Sequence, residues 1–343
     1  MTDQVKVQID EVMNTLENIY IFLNQEKREI LIDSLMDAEL RGIHSHGLIR
    51  TIPYYRRMKA GGIDIQTDIK VKKDHKAVMS VDGCNGIGQV IAKQAMTLAM
   101  EKSDQHGVGV VSVRNSQHFG TAGYYTAQAA KGHKVGMVFT NASARLAPLG
   151  GLGKQLGNNP WSIGFPSGKD DAPFLFDIAN SEASAGKIRD AILNNRDIPD
   201  HWAISSSGEL TTDPETALEG FLLPMAGHKG YGITLAMGML TALLSEGVFE
   251  DEVTAVDQEK ERQKVSHLFI AFDIASFTES DDFLKRSRER IETLKSVKSV
   301  PGQQVYYPGE RSAAKKQKAL ERGSIKLSKP LWDELYRIGK ANL

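Results

Sequence analysis

Residues 41–50 read RGIHSHGLIR, setting two imidazoles, a hydroxyl and two guanidiniums close together. A histidine exchanges protons near neutral pH. An arginine grips a carboxylate through two parallel hydrogen bonds. His46 and Arg50 stand four apart, so a helical turn places both on one face, with Tyr54 four further on. His44 and His46 are only two apart and H-E-x-x-H is absent, which disfavours zinc. Ser45 adjoins His46, but adjacent residues rarely give nucleophile-to-base geometry, and no G-x-S-x-G elbow exists. Two readings stay open for the stretch: acid–base work on a small acid, or a capped turn with a satisfied histidine and a surface arginine.

The run VSVRNSQHFGTAGYY, residues 111–125, carries His118 where a strand gives way to a helix. Such turns hold ligands in α/β proteins, and helix N-termini attract anions. His118 is therefore a candidate base, or else only a helix cap. The Gly- and Asn-rich run from 140 to 166, TNASARLAPLGGLGKQLGNNPWSIGFP, follows a strand and suits close backbone approach to a ligand, as plain loops also do. In MAGHKGYGITLA, residues 225–236, Lys229 precedes an apolar helix, a place for phosphate or for a solvated lysine. No G-x-G continues to the third small residue of a Rossmann fingerprint, and no Walker loop occurs. If a dinucleotide binds, it binds on some other scaffold.

The elements that hold these groups alternate. AVMSVDG, GVGVVSV, KVGMVFT, FLFDIA and HLFIAFDIA are short, β-branched runs bounded by turn residues. Helical spacing runs through residues 7–40, 89–107, 121–132, 283–297 and 329–342. Pro53 suits the first position of a helix through YYRRMKAGG. The apolar run Ile233–Leu244 is shorter than the ~20 residues of a membrane span and reads as a buried helix. The ends are helical and the centre is sheet-rich, giving an α/β (α+β) fold. Residues 1–75 and 236–343 form a discontinuous, mainly helical domain, and 76–235 a sheet-rich domain.

The 343 residues carry a formal net charge of -1, with no basic stripe for nucleic acid. Cys84 is the sole cysteine, so no internal disulfide or four-thiolate zinc site can form. The N-terminus has early acids and no apolar segment of a secretory signal. These features fit a cytoplasmic protein with no membrane or nucleic-acid partner.

Taken in order, HSHG with its following arginine, NSQHFG, APLGG with GNNP, FDIANS with GK, GHKGYG and VYYPGE resemble the malate/L-lactate dehydrogenase family that lacks a Rossmann domain. The resemblance runs through nearly the whole chain. The passages IPDHWAISSSGELTTDP and PGQQVYYPGE look most similar to ureidoglycolate dehydrogenases. The resemblance implies a non-Rossmann mixed-sheet cofactor domain, a homodimer and an NAD-dependent oxidoreductase, with NADP open. It implies interconversion of a small 2-hydroxy acid and its 2-oxo acid, or alternatively ureidoglycolate oxidation. His118 matches the proton acceptor, and His46 the proton donor of diketogulonate-type members. Ser45, Arg50 and Tyr54 fall at substrate-side positions. Asn141 and Ala142, Asp177, Ile178 and Ala179, His228 and Lys229, and Pro308, Gly309 and Glu310 fall in cofactor-contact segments. Lys187 stands where imine reductases carry an aspartate, which favours alcohol chemistry and offers a charge for a developing alkoxide. No metal is implied. Two departures stand out: G-T-N-P becomes Gly157-Asn158-Asn159-Pro160, and the serine after the central strand becomes Ala142.

Overall fold

The computed structural model describes residues 3–168 and 172–342. Its first third contains β1 (Gln4–Gln8), α1 (Ile9–Ile19), α2 (Gln25–Leu40), two 3-10 turns (His44–His46 and Leu48–Arg50), α3 (Thr51–Ala60), β2 (Lys70–His75), β3 (Val78–Asp82) and α4 (Gly88–His106). Then come β4 (Val108–Ser116), α5 (Ala122–Lys131), β5 (Lys134–Thr140), β6 (Trp161–Phe165), β7 (Phe174–Ile178), α6 (Ala185–Leu193), β8 (Ala203–Ile204), α7 (Pro214–Glu219) and β9 (Phe221–Leu222). The chain closes with α8 (His228–Ser245), β10 (Val265–Asp273), α9 (Ser280–Ser296), α10 (Glu310–Arg322), β11 (Ser324–Ser328) and α11 (Lys329–Ala341).

A seven-stranded sheet runs in the order β2-β3-β4-β10-β5-β6-β7. Only β3 and β4 are parallel, and α4 is the crossover such a pair requires. β10 is antiparallel to both its neighbours, β4 and β5. Side-chain alternation sorts the layers. Val111, Val113 and Phe269 turn to one face and pack with Ile91 and Met96 of α4 and Tyr125 of α5. Ser112 turns to the other face, where its hydroxyl donates to Leu244 O of α8 at 3.0 Å. A separate core joins the chain's ends: Val12, Leu16, Leu31 and Leu35 pack with Ile325, Leu335 and Ile338. There β1 pairs with β11, antiparallel.

Three expectations need correction. The boundary at 235/236 assigns residues 265–273 to the helical part, whereas β10 lies in the middle of the sheet; a strand inserted late in the chain pairs wherever two antiparallel edges are free. Helix α3 begins at Thr51, so Pro53 sits inside its first turn, where a missing N–H costs nothing. Helix α8 is not buried all round. Its small residues Gly230, Thr234, Gly238, Thr241, Ala242 and Ser245 are buried, while Leu235, Met239, Leu243 and Leu244 are 37–58% exposed. Small residues let the helix sit close to its support: a Cβ on Gly238 would fall 1.8 Å from Glu250 Oε1.

Candidate active site

The HSHG segment is pinned to α2. Buried Glu39 accepts from His44 Nδ1 at 2.6 Å with one carboxylate oxygen and from the Leu48 N–H at 3.0 Å with the other. That bond to Glu39 raises the pKa of His44. His44 is thus an anchor, with its side chain largely exposed. Gly47 rests against the same residue: a Cβ there would meet Glu39 Oε2 at 2.3 Å and the Glu39 backbone at 3.0 Å. The two 3-10 turns meet at Gly47 rather than forming one helix. His46 and Arg50 nevertheless share a pocket, because Arg50 Nε donates to Ser45 O at 2.7 Å and folds back over the loop.

His46 and His118 stack, with ring centroids 5.4 Å apart and planes 25° apart. Each ring is held through Nδ1: His46 by Ser45 Oγ at 2.8 Å, His118 by Tyr54 Oη at 2.6 Å. The Gly120 N–H also points at His118 Nδ1, 3.3 Å away. Among the described residues nothing pairs with either Nε2, so both rings present that nitrogen to a ligand. Neither do the terminal nitrogens of Arg50 find an acceptor among the described residues, which leaves the fork for a carboxylate.

Electrostatics keeps both rings neutral. Burial and then Arg50 push His46 down to about 4. Burial, then Arg50, His46, His267 and Arg57, hold His118 well below the ordinary histidine range. Burial pushes the Tyr54 hydroxyl up to about 12, so it is a neutral hydrogen-bonding group. His118 does not cap α5. Asp177 does, accepting the Gly123 N–H at 2.7 Å, and burial raises its pKa to about 6.

The structure brings five of the six candidate catalytic and substrate-side residues together: His46 and Tyr54 lie against His118, and Arg50 bonds the Ser45 main chain. Ser45 joins them through His46. Lys187 does not touch either histidine. It lies in the first turn of α6, Nζ 5.6 Å from the Trp202 ring centroid. Its neighbour Gly186 does face the loop: a Cβ there would lie 3.8 Å from that of Ser45.

The expected cofactor segments form one continuous rim. Pro308 O accepts the Leu175 N–H at 3.0 Å, and Gly309, at φ 94°, lies so close to β7 that a Cβ would meet Leu175 N at 2.9 Å. Glu310 is ion-paired with Lys295. Beyond Ile178 and Ala179, Ser181 bridges to Pro224, and the Met225 N–H donates to Asn180 O at 2.9 Å. That leads to Gly227, His228 and Lys229 at the start of α8. Gly227 has φ 61° with open space around it, and Lys229 is exposed with no ion pair among the described residues. A free ammonium at the first turn of an 18-residue helix fits a pyrophosphate. Asn141 serves the scaffold: its Oδ1 accepts the Ser266 N–H at 2.8 Å and its Nδ2 donates to Val248 O at 3.0 Å. Ala142 N–H donates to Asn159 Oδ1 at 3.0 Å, which occupies the main-chain donor there.

Sequence reading missed Arg57, Gln117 and Gln263, which surround the His118 backbone. Nothing local distinguishes Arg57 from Arg56, which is 52% exposed in its side chain and pairs with Glu334. The described residues hold no group of three or more His, Cys, Asp or Glu side chains able to take a metal. No helix among them is long and apolar enough to cross a membrane.

The chain is similar over most of its length to known proteins. The malate/L-lactate dehydrogenase family profile matches residues 7–336. The L-sulfolactate dehydrogenase of Methanocaldococcus jannaschii is 37% identical over 92% of this chain and 90% of its own. Its solved structure superposes with a TM-score of 0.88, covering 97% of this chain and 95% of that one. A malate dehydrogenase of Pyrococcus abyssi is 35% identical over 98% of this chain and 94% of its own. The NAD(+) ureidoglycolate dehydrogenase of Escherichia coli K12 is 31% identical over 88% and 86%.

Proposed function

The chain belongs to the malate/L-lactate dehydrogenase family, and from that premise we propose which of its residues carry the reaction. The protein is an NAD(P)-dependent oxidoreductase that interconverts a small 2-hydroxy acid and its 2-oxo acid. When bound, the nicotinamide supplies the hydride-accepting and hydride-donating carbon.

The observation that carries the assignment of roles is the stacked pair of imidazoles, each tethered at Nδ1 and open at Nε2, beside an unpaired guanidinium fork. Arg50 holds the substrate carboxylate and so fixes the hydroxyl-bearing carbon. In the tautomer whose Nδ1–H donates to Tyr54 Oη, His118 exchanges the hydroxyl proton at Nε2, and His46, with Nδ1–H donated to Ser45 Oγ, shares that task from the adjacent ring. Arg50 is also a cause of the depressed proton affinity of both rings. A carboxylate bound to Arg50 offsets that charge, so substrate binding itself raises the rings' affinity for the proton they must take. Tyr54 orients His118. Lys187 acts on the substrate from the α6 side. The rim of Asp177, Ile178, Ala179, His228, Lys229, Pro308, Gly309 and Glu310, with Asn141 and Ala142 beneath, holds the cofactor. NAD is the proposed form, as in the name of the ureidoglycolate relative.

The proposed assembly is a cytoplasmic homodimer. The support is α8, whose outward face is apolar from Leu235 to Leu244 and continues to Phe249, 40% exposed. Exposed patches of this kind mark interfaces.

A panel of 2-oxo acids with NADH and NADPH, read as loss of reduced-nicotinamide absorbance, tests the reading. Arg50→Ala is expected to raise the substrate Michaelis constant at least tenfold, about the worth of a charge-assisted hydrogen bond, with cofactor binding unchanged. An unchanged constant puts the carboxylate clamp elsewhere.

A further inference from the structure

We propose that Arg57 is a positioning residue for this reaction: its buried guanidinium straps the 254–263 segment and α3 around the turn that carries His118. The inference rests on His118 as the proton-exchanging group.

Arg57 is 0% exposed. An isolated cation in that position is costly unless its hydrogen-bonding capacity is met. Carbonyl oxygens, not carboxylates, meet its two Nη atoms, while Nε has no partner among the described residues. Nη1 donates to Gln258 O; Nη2 faces Glu261 O at 2.5 Å, Gln117 Oε1 at 3.0 Å and Gly62 O at 3.4 Å. Only a planar fork reaches so many acceptors from one side chain; an ammonium lacks that geometry. Gly62 is part of the same junction, since a Cβ there would lie 2.1 Å from Glu259 O.

Both ends of the strap reach the residue before or the backbone of His118. Gln117, 1% exposed, takes the guanidinium on Oε1 and donates through Nε2 to Gly62 O at 3.1 Å and to Asn85 Oδ1. From the strapped segment, Gln263 Oε1 accepts the His118 main-chain N–H at 3.0 Å, while its Nε2 donates to Thr254 O at 3.1 Å. Tyr54, on the same helix as Arg57, holds the ring itself. The imidazole is thus fixed at its ring from α3 and at its backbone from the 254–263 segment, and Arg57 joins the two supports. Its charge also faces His118, together with Arg50 and His46 from the 44–50 segment, Tyr54 from α3 and His267 from β10.

The test uses the full-length chain and three variants, with thermal melts to show which ones fold. Arg57→Lys keeps the charge and loses the fork. Its kcat is expected to fall about 100-fold, the scale of a misplaced catalytic group, while the cofactor Michaelis constant and the acid limb of the pH profile stay put. Gln263→Met removes the tether on the His118 N–H together with the bond to Thr254 O, and leaves Arg57 in place; its kcat is expected to fall about tenfold. Arg57→Met removes the charge too. There the His118 resonance in ¹⁵N-histidine NMR, identified by its loss in His118→Asn, titrates at higher pH than in the parent. If the Arg57 variants do not fold, Gln263→Met decides: a tenfold loss supports the strap and parental kcat overturns it. Parental kcat in both Arg57→Lys and Gln263→Met, with an unmoved titration in Arg57→Met, also overturns it. The NMR titration needs no turnover, so a parent inactive on every 2-oxo acid refutes the proton-exchange reading while the titration still judges the strap.

Discussion

The pocket around His118 and the outer face of α8 break the usual partition of side chains in opposite directions. In the pocket, Arg57, Tyr54 and Gln117 are withdrawn from water. On α8, Leu243 and Leu244 are 58% and 54% exposed. A buried cation and a wet leucine row are each unfavourable for an isolated fold. The pocket is compensated internally, by carbonyl oxygens and tethered rings, and so is complete within one chain. Among the described residues nothing covers the outer face of α8. The difference teaches that the pocket's polar groups are met largely within one chain, whereas the apolar row on α8 is what supports the proposed dimer.

Replacing the central ring attacks the first half of that contrast hardest. His118→Ala is expected to lower kcat by about 10²–10⁴-fold, the range for a lost general acid–base group. If it and His46→Ala both turn over normally in a stopped-flow assay, the stacked pair does not handle the proton. The second half is sharpened by Met239→Lys with Leu243→Lys on α8. Sedimentation is expected to show a monomer whose circular dichroism matches the parent, because neither side chain supports the interior. A parent that already sediments as a monomer removes the reason for the comparison.

A smaller effect is expected from Gly47→Ala. The new methyl meets Glu39, whose carboxylate anchors the loop, so a loss of about 1–3 kcal/mol is expected from denaturant unfolding. The mildest probe is pH. Folding lowers the pKa of His46 to about 4 and of His267 to about 3, from 6.5, and that of His118 as well. The unfolded chain therefore binds these protons first as pH falls. The stability they contribute is full above about pH 6.5 and declines toward pH 4. Asp177, raised to about 6 by burial, works the other way, gaining as pH falls through 6. His44 and Glu250, whose pKa values are also raised, act with Asp177; the large downward shifts of the three rings still leave a net decline, visible as a falling denaturation midpoint across that window, and a flat midpoint contradicts the buried-ring picture.

How far the sequence could be read depended on whether a residue's surroundings are local. Strands β3, β4, β5, β7 and β10 announce themselves as β-branched runs, since burial on a sheet selects those side chains. Strand β2, KVKKDH, does not: all six residues are exposed on the sheet edge, where charge discourages further pairing. Strands β1 and β11 are legible only as a pair formed by distant segments. His46, Arg50 and His118 stood out because few residue types trade protons or grip carboxylates. Arg57 did not, because its burial depends on carbonyls about 200 residues away in sequence, contacts no local pattern encodes. Helix α8 departs from the expected burial because a largely apolar helix has the same sequence pattern whether one face is covered or all of it.

The place of β10 in the sheet has a consequence for synthesis. Strands β4 and β5 leave the ribosome early, yet the strand that zips them together is made only at residues 265–273. Until then two apolar edges are open to any passing strand. Truncated translation products ending before residue 265 are expected to be sticky and poorly soluble.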